Sequence, residues 1–123
     1  MKNMRLAACL LVLGLVALCL TGPLATPSKA AGATVIEFRS RICPFCYQQA
    51  EILSEIEKKY PGQIMVQFYT TETDEPMFKK YRVSLVPTLV ILNSSGSEVF
   101  RHEGLVPKEQ LVSTLKGMNA IRD

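Results

Sequence analysis

The chain opens on an unbroken apolar run, Leu6 to Leu20, and only later settles into periodic patterns. TVIEFRS, Thr34 to Ser40, is mostly apolar and rich in β-formers, and predicts a buried strand. From Cys46 to Lys59 the apolar positions follow helical rows. Ala50, Leu53 and Ile56 lie on one row and Ile52, Ile56 and Tyr60 on the next, while Glu51, Glu55 and Lys58 point elsewhere. That spacing predicts an amphipathic helix, which Pro61-Gly62 ends. Ile64 to Thr70 reads as a second strand. Thr73 or Asp74 is placed to cap a short helix through Tyr81. A third strand, Thr88 to Leu92, is entered through Val86-Pro87. Ser94 to Ser97 then forms a hairpin turn into a fourth strand, Glu98 to His102, expected at an edge. Pro107 suits the first turn of a last helix, with Leu111, Val112, Leu115 and Met118 on its apolar face.

The order is β-α-β-α-β-β-α. Strands separated by a helix predict a parallel pair with a right-handed crossover, and the last two strands an antiparallel hairpin. An α/β architecture follows, with one mixed four-stranded sheet flanked by helices. Ile52, Leu53, Ile56, Phe68 and Leu89 are the expected core. At 123 residues one domain is the default. No internal repeat or low-complexity segment is visible.

The N-terminal run changes how the rest is read. Lys2 and Arg5 precede 15 apolar residues, and breakers and small residues lead to Ser28-Lys29-Ala30. This is the pattern of a secretory signal peptide over residues 1–30, with a domain over 31–123. The alternative, an uncleaved membrane anchor, is disfavoured because the run falls short of the ~20 residues that span a bilayer. Lipid attachment also fits poorly, since Leu18 stands before Cys19 where a small residue is needed. Removing the leader takes Lys2, Arg5 and Lys29 and leaves 11 basic against 11 acidic residues. The mature domain then has no basic excess that would recruit nucleic acid or an anionic membrane. The expected location is exported: periplasmic or otherwise extracytoplasmic, with membrane tethering only if the N-terminal segment is retained.

Cys9 and Cys19 leave with the leader, so the mature chain holds one pair, Cys43 and Cys46. Three roles are open to it. A zinc or copper site needs about four protein ligands. One cysteine pair and the single His102 do not make such a set, so no metal is expected. A purely structural disulfide closing so short a loop stabilises little. A redox pair fits best. At the start of a helix, unpaired N–H groups and the positive end of the dipole favour a thiolate on the first cysteine. Cys43 then attacks a disulfide, and Cys46 on the first turn resolves the mixed disulfide. Arg39 and Arg41 are read as solvated basic side chains, and His102 as a surface residue.

These residues resemble the thioredoxin superfamily from Thr34 to about Met118. VIEF runs into CxxC at a helix start, Val86-Pro87-Thr88 stands where the family has a cis-proline, and the segment from Pro87 to Leu115 is similar to the thioredoxin C-terminal region. The resemblance implies a thioredoxin-like fold lacking the N-terminal strand and helix of full thioredoxin. It also implies a thiol–disulfide oxidoreductase with a Cys43–Cys46 disulfide and no dissociable cofactor. Its expected partners are protein thiols or disulfides and an electron-transfer partner, and it is expected to be a monomer. Val86 and Pro87 are expected to shape the substrate site together with Pro44 and Phe45. Phe45 is either an apolar contact for substrate or a lid over Cys46. Glu37 stands where thioredoxins place a buried Asp that moves the proton of the second cysteine. It is either a buried proton shuttle with a raised pKa or a strand-end carboxylate facing water. The basic residue that partners this Asp in many thioredoxins falls near Gln67.

Cys-Pro-Phe-Cys departs from the Cys-Gly-Pro-Cys of thioredoxins, and the chain has no tryptophan. Pro followed by an aromatic is similar to glutaredoxins, which keeps a glutathione-dependent reductase as an alternative. However, NSSGSE stands where glutaredoxins carry Gly-Gly. A redox-inactive binding module with a static disulfide is the other alternative. The Pro-Phe pair is expected to make the couple more oxidising than thioredoxin.

Overall fold

A computed structural model describes residues 32–123. The signal-peptide reading of residues 1–30 therefore lies outside the described residues. The elements run β1 (Ala33–Arg39), α1 (Pro44–Lys59), β2 (Ile64–Thr70), α2 (Glu75–Tyr81), β3 (Thr88–Asn93), β4 (Glu98–Glu103) and α3 (Lys108–Gly117). The sheet order is β2-β1-β3-β4. β1 and β2 are parallel, as a helical connection between them requires. β3 runs antiparallel to β1 and pairs with β4 as a hairpin, so β4 is an edge. Among the described residues no helix is long and apolar enough to cross a membrane.

Alternation along β1 divides the interior in two. Ala33 and Val35 face α1 and α3, in a core with Leu53, Ile56, Leu89, Ile91, Leu111 and Leu115. Ile36 and Phe38 face the opposite side, where α2 supplies Phe78. The Phe38 ring lies 5.0 Å edge-on to Phe78, and Tyr69 and Tyr81 pack at 5.5 and 5.4 Å. Such pairs add to what area burial alone contributes. Both faces of β1 are thus covered, which explains why its sequence shows no polar face.

Several boundaries and placements differ from expectation. Pro107 is the N-cap residue of α3 rather than part of its first turn. Asp74 occupies the N-cap of α2 but does not cap it. Its carboxylate instead accepts from the Thr70 amide (2.8 Å) and the Thr73 hydroxyl (2.9 Å), tying the helix entry back to β2. Phe68, expected in the core, is 44% exposed. It lies on β2, the sheet edge opposite β4, where no further strand among the described residues covers it. Beyond α3, Ala120 and Ile121 fold back into the first core.

Candidate active site

β1 ends at Arg39 and the chain turns through Ser40–Ile42 into α1. Thr71 and Glu72, just past β2, hold this turn. The Thr71 amide donates to the Arg39 carbonyl at 2.9 Å, and its hydroxyl donates to the same oxygen at 3.0 Å. Glu72 Oε1 accepts from the Ser40 hydroxyl (2.8 Å) and the Arg41 amide (3.2 Å). These donors, Ser40 first, hold the Glu72 carboxyl below the ordinary carboxylate range. The turn preceding Cys43 is therefore braced rather than free.

Cys43 is the N-cap residue of α1, with extended backbone, and Pro44 opens the helix. Proline is well placed there, because its missing N–H has no intrahelical partner to lose. Cys43 Sγ accepts from the Cys46 amide at 3.2 Å. A sulfur thus takes the position that a Ser or Asp oxygen usually holds at a helix start. Cys46 is fully buried, whereas Cys43 is partly accessible. The two are joined as a disulfide with Cα atoms 5.2 Å apart.

Phe38 pairs with Thr88 across β1 and β3, so the turn to Cys43 and the loop through Pro87 stand at the same end of the sheet. The Val86–Pro87 peptide is cis. Thr88 Oγ1 donates to the Leu85 carbonyl at 2.7 Å, closing that loop. The partly buried side chain of Val86 packs against the second core. Around these loops Ile42 (88%), Phe45 (59%) and Leu85 (56%) are exposed. Phe45 presents an outward apolar surface. Ile42 and Leu85 were not evident from sequence, although each adjoins a motif and an exposed apolar side chain there was the available signal.

Gln49 is a further residue that no sequence motif marks. It lies on the buried face of α1 with Cys46, Leu53 and Ile56. Its amide pairs with the backbone of Val106: the Val106 N–H donates to Gln49 Oε1 at 2.7 Å, and Nε2 donates to the Val106 carbonyl at 3.4 Å. Two residues back, the Gly104 N–H donates to the Pro87 carbonyl at 2.7 Å. Gly104 has φ of 95°, which disfavours any residue with a Cβ. The segment Gly104–Val106 thus straps the cysteine helix to the proline loop.

Glu37 is fully buried, and neither carboxylate oxygen has a hydrogen-bond partner among the described residues. Alternation puts it on the α1 side with Val35, the side on which Cys46 is buried. Burial pushes its pKa up to about 7, against a smaller downward pull from Arg39. The alternative of a strand-end carboxylate facing water is excluded. The register pairs Glu37 with Phe68, and Gln67 with Ile36. Phe68, not Gln67, is therefore the β2 residue facing Glu37, and neither carries charge. His102 is partly buried on β4, stacked on Phe100 at 6.4 Å.

A family model, the thioredoxin-like domain, matches residues 25–119. The chain belongs to the thioredoxin-like family. Family relatives include the chloroplastic thioredoxin Y of Oryza sativa subsp. japonica, 26% identical over 88 residues (72% of this chain and 52% of that protein). A thiol:disulfide interchange protein TxlA homolog of Synechocystis is 27% identical over 100 residues (80% of this chain and 56% of that protein). The chain spans about half the length of these two relatives. The Pseudomonas aeruginosa thioredoxin is 26% identical over 87 residues, covering 71% of this chain and 80% of that protein. Two thioredoxin structures share the fold. Chloroplastic thioredoxin z has a TM-score of 0.66 at 19% identity, over 75% of this chain and 81% of that chain. Thioredoxin-2 of the malaria parasite has 0.66 at 21%, over 69% and 82%. The family is one of thioredoxin-like oxidoreductases, and in this chain Cys43 and Cys46 are joined as a disulfide at the head of α1.

Proposed function

We propose that this protein is an extracytoplasmic thiol–disulfide oxidoreductase acting on protein thiols or disulfides. The observation that carries the reading is the asymmetry of the pair: a partly accessible Cys43 at a helix N-terminus, bonded to a fully buried Cys46. In the reducing direction, the Cys43 thiolate attacks one sulfur of a substrate disulfide. A Cys43–substrate disulfide forms, and the other substrate sulfur leaves as a thiolate and takes up a proton. The Cys46 thiol then gives its proton to the Glu37 carboxylate, and its sulfur attacks Cys43 Sγ. The Cys43–substrate bond breaks, the second substrate thiolate leaves, and two electrons have passed from the cysteine pair to the substrate. The helix start stabilises the Cys43 anion that makes the first attack. Ile42, Phe45 and Leu85 offer apolar contact to substrate, and the Val86 backbone beside Pro87 offers it polar groups.

The direction in a cell depends on the electron partner. Export rests on the leader pattern of Lys2, Arg5, Leu6–Leu20 and Ser28-Lys29-Ala30, and an oxidising compartment suits a thiol couple. Replacing Cys43 with Ser tests the mechanism. Disulfide exchange with a model protein substrate should fall to the uncatalysed rate, and activity that survives would overturn the assignment.

A further inference from the structure

Glu37 is a carboxyl cut off from water and from hydrogen-bond donors. A group so placed ionises only at a raised pH, and a nearby cation brings that pH back down by offsetting part of the desolvation. The cysteine mechanism needs the ionised form, since only the carboxylate can take the Cys46 proton. The source of that offset is on the same strand.

Arg39 lies two residues beyond Glu37, and alternation sends both side chains to the same side of the sheet. Its guanidinium is not loose. The central carbon stands 5.2 Å from the ring centroid of Tyr47 and 5.3 Å from that of Phe68. Tyr47 comes from the first turn of α1, where its hydroxyl donates to the Arg41 carbonyl at 2.7 Å. Phe68 comes from β2, as the register partner of Glu37. A planar cation between two ring faces is favoured electrostatically and by stacking. Among the described residues Arg39 has no carboxylate within ion-pair distance. Its field is therefore not cancelled by a nearer anion, whereas Arg41 has Glu72 beside it.

The other groups on this side of the sheet do not supply the offset. Phe68 of β2 and Leu89 of β3 flank Glu37 in the register and do not titrate. β4 places His102 one strand further away, paired with Leu89. α1 contributes Cys43, Cys46 and the Tyr47 phenol, none of them cationic, and Gln49 is spent on Val106. Lys108 of α3 is taken by Glu55 at the solvent surface.

We propose that Arg39, clamped between Tyr47 and Phe68, is a positioning residue that keeps Glu37 ionisable so that it accepts the Cys46 proton. This rests on the proposed thiol–disulfide reaction, but its electrostatic part stands apart from activity. Arg39 touches neither cysteine nor substrate in this scheme and acts through Glu37. The exposed aromatic residues Tyr47 and Phe68 are thereby assigned a role in holding the cation.

The test is a 13C-carboxyl NMR titration of Glu37 in the oxidised protein, wild type against Arg39→Met. Side chains two apart on a strand stand about 7 Å from each other, and losing a partly screened charge at that range raises the midpoint by about one pH unit. Arg39→Gln keeps a polar stem and gives the same reading if the methionine variant does not fold. Replacing Tyr47 and Phe68 together with Ala frees the guanidinium and moves the midpoint the same way, by less. A midpoint unmoved in the folded Arg39 variants overturns the proposal, whatever the protein's activity.

The kinetic arm follows resolution of a mixed disulfide on Cys43. Arg39→Met should slow it about tenfold at pH 6 and much less at pH 9, as expected when fewer Glu37 carboxylates are available. Adding Arg39→Met to Glu37→Gln should produce no further change in the pH profile. A Glu37 midpoint that moves while the resolution profile does not overturns the proton-transfer half of the proposal. Absence of exchange in the wild type contradicts instead the thiol–disulfide reading on which that half depends.

Discussion

Replacing Glu37 with Gln keeps the shape of the buried side chain and removes its charge, so the consequence for stability is a function of pH. In the folded protein burial holds this carboxyl at about 7, against an ordinary value of 4.5. Below pH 4.5 it is neutral in both folded and unfolded chains and costs nothing. As pH rises from 4.5 toward 7, the unfolded chain ionises first and the folded state loses stability. Above 7 the loss is constant. A gap of about 2.5 pH units at 1.36 kcal/mol each sets that loss at about 3 kcal/mol. Glu37→Gln escapes it. Its buried amide adds an offset that does not vary with pH. Urea unfolding of the oxidised proteins, followed by far-UV circular dichroism because the chain has no tryptophan, gives the difference at each pH. The variant's stability relative to wild type should be flat below pH 4.5, climb by about 3 kcal/mol, and level off above pH 7. A difference constant from pH 4 to 8 would refute the burial argument, and with it the proton-shuttle role.

Two further predictions rest on other parts of the site. Gln49→Leu leaves the Val106 N–H and carbonyl without their partners and should destabilise the protein by about 2 kcal/mol in the same unfolding assay; unchanged stability would mean that the strap from α1 to Gly104–Val106 does not form in solution. The Pro44-Phe45 pair should give a reduction potential higher than the roughly −270 mV of thioredoxin, measured by equilibration against glutathione; a value at or below thioredoxin's would contradict the tuning argument.

The elements and their order were legible because each carries a period: two for β4, 3.6 for α1 and α3, and turn residues at Pro61-Gly62 and Ser94–Ser97. Whether Glu37 is buried was not legible. β1 is covered on both faces, so its residues read as one apolar run and do not show which way a lone carboxylate points. Phe68 illustrates the converse. Its composition says core, but its place on an edge strand leaves it half-exposed, and strand order is a tertiary fact. Arg39 had no sequence mark to distinguish it from Arg41. Only the packing of α1 over β1 and β2 brings Tyr47 and Phe68 to its two sides. Gln49 was visible as a polar residue on an apolar helical row, yet its partner is a backbone group 57 positions away. The cysteine pair was legible for a different reason. Its chemistry depends on a helix start, and the sequence marks that start with Pro44.

The central claim is a division of labour in which Cys43 attacks and Cys46 releases. Replacing Cys46 with Ser removes the releasing thiol and leaves the partly accessible Cys43 at its helix end. The most direct measurement is to mix this variant with a disulfide-bonded protein substrate, quench with acid, and weigh the products by mass spectrometry without reductant. The account predicts a covalent one-to-one adduct on Cys43 that persists until a thiol is added and is missing when Cys43 is also Ser. If no adduct accumulates, or if it forms equally well in the Cys43→Ser protein, the two-step scheme is contradicted.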